Sequence, residues 1–101
     1  MKILKISDKN FAIIGKVYRF FGEADGDCFW FARNRVDYSL GKLDVRVQCG
    51  DLITVLEHQV NWCDETSDYE ISVKLLTKNG CGYIVAMMND VKYMPQFMEI
   101  T

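Results

Sequence analysis

The stretch "VQCGDLITVLEH", residues 47–58, decides how the rest of the chain is read. It has the form of a strand, a tight turn and a second strand. Gly50 can take the positive φ that a tight turn asks for, and the carboxylate of Asp51 can bond the backbone beside it. The residues after the turn carry two patterns. Leu52, Ile53, Leu56 and Val60 recur at helical spacing, with Asp51 placed as an N-cap. Ile53, Thr54, Val55 and Val60 are β-branched and prefer strands. The segments on either side make a strand over residues 52–62 the more consistent reading, with a helix as the alternative.

Those neighbours alternate with period two. In "LDVRVQ" Leu43, Val45 and Val47 form one set and Asp44, Arg46 and Gln48 the other. In "YEISVKLLT" one face carries Tyr69, Ile71, Val73 and Leu75. Such alternation marks half-buried strands. "KNGCG" (78–82) holds an Asn-Gly hairpin signal and leads into "YIVAMM", a further strand. Toward the N-terminus "KILKI", "FAIIGKVYRFF" and "CFWFAR" read as extended, and "VDYSLG" as a turn. The closing "MPQFMEIT" reads as a turn of helix and a last strand. The expected fold class is all-β: one domain over residues 1–101, a small barrel of five to seven mostly antiparallel strands with room for one short helix.

A chain of 101 residues, 50% of them hydrophobic and 26% charged, has the composition of one globular domain. No run approaches the roughly 20 apolar residues of a membrane span, and the start has no signal-peptide pattern, so the expected location is cytoplasmic. Cys28, Cys49, Cys63 and Cys81 are spaced by 21, 14 and 18 residues, which signals free thiols rather than a zinc site. The net charge of −2 is unevenly spread: residues 1–20 sum to +4, residues 21–70 to −7 and residues 71–101 to +1. The acidic excess lies in "EADGD" (23–27) and "DETSDYE" (64–70).

"VRVQCGDLITVLE" resembles the segment of Src-homology-three domains in which a diverging turn feeds the second barrel strand. Gly50, Asp51, Leu52, Ile53, Val55, Leu56 and Glu57 carry the likeness. "KVYRFFGEADGD" (16–27) is similar to the first strand and following loop, and "VKLLTKNGCGYI" (73–84) to a later strand, its hairpin and the Gly-Tyr-Ile after it. The resemblance spans roughly residues 16–92. It implies a small barrel in which Trp62 and Tyr18 stand in for the aromatic ridge of a peptide groove. Val85 and Met88 replace the proline and tyrosine that complete that groove, so proline-rich recognition is not implied. The resemblance also places the acidic clusters Glu23, Asp25, Asp27 and Asp64, Glu65, Asp68, Glu70 on loops flanking the groove, where they would receive a basic partner.

No catalytic motif is complete. His58, the single histidine, has Cys49 and Cys63 near it in sequence, but nothing specifies the third group of a nucleophilic triad. "EADGD" puts Gly26 fourth and Asn34 twelfth from Glu23, which is not the calcium-loop spacing. "CFWFARNR" combines Phe29 and Trp30 with Arg33 and Arg35, the residue types of single-strand nucleic-acid binding. The acidic balance argues against that use. Methionines 87, 88, 94 and 98 suit packing or an adaptable surface. The sequence therefore leads to a non-catalytic protein-binding module without cofactor or metal. An inhibitor or immunity-type protein with a basic target fits best, and a single-stranded nucleic-acid-binding barrel is the alternative. The basic residues Lys2, Lys5 and Lys9 leave self-association open.

Overall fold

The computed structural model describes residues 3–8, 11, 13–22 and 28–100. Gly50 takes φ +96°, and the chain reverses there between β4 (Val45–Gln48) and β5 (Leu52–Cys63). Asp51 closes the turn in both directions. Its N–H donates to the Gln48 carbonyl at 3.0 Å, and its carboxylate accepts from the Gln48 N–H at 2.9 Å. Lys78 adds an ion pair at 3.2 Å. Burial alone would raise the Asp51 pKa, but the Gln48 N–H and Lys78 outweigh it and hold the carboxyl below its ordinary value.

Residues 52–62 are strand throughout, with one irregularity. Pairing between β5 and β6 (Asp68–Thr77) shifts register between Val55 and Glu57. Such a bulge adds one residue and changes the phase of the alternation. Ile53 and Val55 face the core before it, and His58, Val60 and Trp62 share the core-side face after it. β6 turns into β7 (Gly80–Met87) through Lys78 and Asn79, with positive φ at Gly80 and not at Asn79.

Among the described residues there are eight strands, more than the five to seven expected. β1 (Ile3–Lys5), β8 (Gln96–Glu99), β2 (Val17–Gly22), β5, β6 and β7 form one antiparallel sheet in that order, and β3 (Cys28–Phe31) pairs with β4. Two sets of backbone bonds join the sheets. Ala32 and Tyr83 exchange backbone bonds at 3.3 and 2.7 Å, and Phe20 exchanges bonds with Gly50 and Asp51, both 2.8 Å. The fold is thus an all-β small domain with its strands wrapped about one core. Phe11 lies at its centre, stacked on Phe97 at 4.6 Å and tilted against Tyr18 at 5.0 Å.

Three local readings need correction. "FAIIGKVYRFF" is extended only from Val17, because the chain turns at Ile14 and Gly15 (φ +85°). "RVDYS" is a short helix, α1 (Arg35–Ser39), capped by Asn34 accepting from the Asp37 N–H at 2.8 Å, rather than a turn. The helical turn near the C-terminus begins earlier than expected, as a 3-10 helix over Met88–Tyr93.

Candidate protein-binding hairpin

β5 has twelve residues, about 36 Å of strand at roughly 3.3 Å per residue. That approaches the 38 Å long dimension of the domain. The proximal part of the β5–β6 hairpin covers the core. The distal part runs past it to a four-residue turn, Asp64–Ser67. Ser67 takes φ 51° there.

The register sets the face of each distal side chain. His58 lies opposite Val73, Val60 opposite Ile71, and Trp62 opposite Tyr69. Val73 and Ile71 are buried, but Val60, Trp62 and Tyr69 are 46%, 54% and 48% exposed. The apolar face that covers the core therefore continues into solvent. Trp62 and Tyr69 meet edge-to-face at 5.1 Å, a favourable aromatic geometry. The Trp62 indole N–H donates to Asp64 Oδ1 at 2.7 Å, which ties the ring to the acidic turn.

The acidic residues differ in freedom. Asp64 and Glu65 are exposed in the turn. Asp68 is half-buried and engaged: it accepts from its neighbour Tyr69's N–H at 2.8 Å and from the Asn89 N–H at 3.0 Å. Glu70 is half-buried on the opposite face, between Asn61 and Met87. Glu23, Asp25 and Asp27 lie outside the described residues. Tyr18 is not beside Trp62 on a surface. It is fully buried against Phe11, and burial raises its phenol pKa even with Lys16 opposing. β2 turns Tyr18 and Phe20 inward and leaves Val17, Arg19 and Phe21 exposed.

Tyr69 and Val60 were not among the expected site residues. Folding the sequence about residues 64–67 would have placed Tyr69 across from Trp62.

His58 is engaged elsewhere. Its Nε2 lies 2.7 Å from the Ile6 carbonyl, which can only accept, so Nε2 carries the proton. Cys63 lies five residues further along the strand, roughly 16 Å away, with opposite side-chain parity. Cys49 Sγ donates to the Phe21 carbonyl at 3.1 Å. All four cysteines are free, and among the described residues no three metal-ligating side chains cluster.

The stretch read as a nucleic-acid surface is divided. Trp30 is 44% exposed, whereas Phe29 packs against the core beside Phe31. Arg33 is paired with Asp44 at 2.8 Å, and Arg35 donates to Gln59. No helix among the described residues is long and apolar enough to cross a membrane. Comparison with protein-family models, curated proteins and solved structures finds no match for this chain.

Proposed function

We propose that this chain is a non-catalytic, cytoplasmic protein-binding module of the inhibitor or immunity type, whose acidic turn and aromatic hairpin face engage a basic partner protein. The reading includes a small barrel of the Src-homology-three kind used without that family's peptide groove, since Tyr18 is buried. The observation that carries it is the exposed Trp62–Tyr69 pair anchored to Asp64 beside a free Glu65. Exposed aromatic anchors supply much of the energy of protein interfaces, and rim charges steer the encounter and reject wrong partners. Exposed large apolar residues clustered with charge are what a docking surface requires.

The experiment is affinity capture from the native lysate with nuclease treatment, using the wild-type chain beside the double variant Asp64→Lys, Glu65→Lys. A basic protein retained by the wild type and lost by the variant supports the reading. A partner held equally by both, or recovery of nucleic acid alone, contradicts it.

A further inference from the structure

The β5–β6 hairpin leaves one edge of main chain open. β6 pairs with β5 from Thr54 to Cys63. On the other edge β2 pairs with the first residues of β5 only. Its cover ends where the Gly15 N–H donates to the Val55 carbonyl at 2.7 Å and the Val55 N–H to the Lys16 carbonyl at 3.1 Å. The chain turns away at Ile14 and Gly15, and among the described residues no strand pairs with β5 on that side beyond Val55. The register decides which groups are open. Val55 turns its main chain toward β2, and after the shift Glu57, Gln59 and Asn61 are in phase to bond β6. His58, Val60 and Trp62 therefore direct their N–H and C=O groups away from the hairpin. Such a row of unpaired groups is a template for an added strand.

Charge tells what kind of strand fits. From Val47 to Val73 the chain has six carboxylates, Asp51, Glu57, Asp64, Glu65, Asp68 and Glu70, and no Lys or Arg. Two of them have a cation at hand: Lys78 pairs with Asp51 at 3.2 Å, and Lys74 lies opposite Glu57. Among the described residues no ion pair reaches the other four, which sit in or beside the Asp64–Ser67 turn. At the far end of the edge the bond from His58 Nε2 to the Ile6 carbonyl holds the Lys5–Asp8 turn, where one Lys and one Asp offset each other. The net acid along this edge therefore lies at its turn end. A second copy would bring the same acidic hairpin, so charge favours a basic strand from another protein.

We infer that the basic partner binds by strand addition: an extended segment alternating basic and apolar residues pairs with β5 over residues 58–62, with its basic end at Asp64 and Glu65. The inference rests on the proposed function and names how that partner is recognised. In strand addition the main-chain bonds give affinity and alternate side chains give specificity. The apolar side chains of the segment join the face of Val60 and Trp62, and widen the apolar strip that already leaves the core. Its Lys or Arg side chains fall on the face of Glu57 and Glu70. The open stretch takes about five residues of partner strand, an ordinary strand length.

Amide hydrogen exchange on the full chain, read residue by residue by NMR, tests this with two octapeptide probes, one alternating Lys and Val and one alternating Glu and Val. In the free protein the His58, Val60 and Trp62 amides should exchange about tenfold faster than those of Gln59 and Asn61, or more. The Lys–Val peptide should slow those three amides by about tenfold or more, and the Glu–Val peptide should leave them unchanged. Val60→Pro removes the central outward N–H and leaves the β6 ladder intact, so it should abolish the slowing at His58 and Trp62, whereas Val60→Thr should retain it. If circular dichroism shows that the proline variant unfolds, the wild-type exchange decides. Slow exchange of the three amides in the free protein overturns the inference. Slowing that grows with the concentration of the protein alone also overturns it, and gives the edge to a second copy. A Lys–Val peptide that moves the Trp62 and Tyr69 side-chain signals without slowing the three amides overturns strand addition and leaves the proposed function standing. No response to that peptide overturns strand addition as well, and the capture comparison with Asp64→Lys, Glu65→Lys then judges the proposed function separately.

Discussion

The two halves of the β5–β6 hairpin share one alternation and meet opposite fates. In the proximal half Ile53, Val55 and Leu75 are fully or almost fully buried. In the distal half Val60, Trp62 and Tyr69 follow the same face into solvent. Period-two alternation says which face a side chain takes, but not whether anything covers that face. Coverage comes from elsewhere in the chain: Phe11, Tyr18 and Phe97 fill the space against the proximal half. Proximal residues should therefore govern stability and distal ones binding.

The largest effect belongs to the proximal half. Leu75→Ala should cost about 2–5 kcal/mol, because a fully buried side chain leaves a cavity that packing only partly refills. Urea unfolding measures this, and a loss below about 1 kcal/mol would place Leu75 with the distal set. Its cross-strand neighbour Gly82 gives the opposite perturbation. A Cβ there would lie 2.8 Å from Phe31 Cβ, so Gly82→Ala should cost about 1–3 kcal/mol by overpacking.

The turn that starts the hairpin comes next. Asp51→Asn removes the charge from the bonds to Gln48 and Lys78 and should cost about 1–2 kcal/mol at neutral pH, allowing for solvent screening. The folded pKa of Asp51 is depressed, so its contribution is present above the ordinary value of 3.8 and is lost as pH falls through the lower folded value. The stability gap between wild type and Asp51→Asn should close on acidification below 3.8, and a constant gap would remove Asp51 from the account. The smallest effect on stability belongs to the distal half. Trp62→Ala and Tyr69→Ala each give up an exposed cross-strand pair and should change stability by no more than about 1 kcal/mol. A larger loss would make the aromatic pair part of the structural core.

Much of the fold was readable because local chemistry and tertiary structure agree. Gly50 and Asp51 make the turn their residue types suggest, and β4 buries Val45 and Val47 as the alternation requires. The misreadings have physical causes. α1 buries none of its residues, with Val36 exposed within it and Leu40 exposed at its C-cap, so no apolar stripe announces a helix, and its one local signal is the Asn34 cap. Ile53 and Val60 share the core-side face despite their odd separation because the register shifts between Val55 and Glu57, a bulge that no single residue advertises, while Leu52 lies before it and is exposed. The family resemblance puts Tyr18 on a groove surface, whereas β2 buries it with Phe20 and leaves Val17 and Phe21 exposed. Trp62 was found from its place after the Gly-Asp turn. Its partnership with Tyr69 and Asp64 depends on a register that only the folded hairpin shows.

If the distal half of the hairpin is a binding surface and not a structural one, affinity and stability separate at Trp62. The direct measurement is isothermal titration of the captured partner against wild type and Trp62→Ala, with the unfolding midpoint of each protein recorded alongside. Trp62→Ala should weaken binding by about tenfold or more, as expected for an aromatic anchor, while the midpoint stays close to that of the wild type. Unchanged affinity with a folded variant would contradict the binding role.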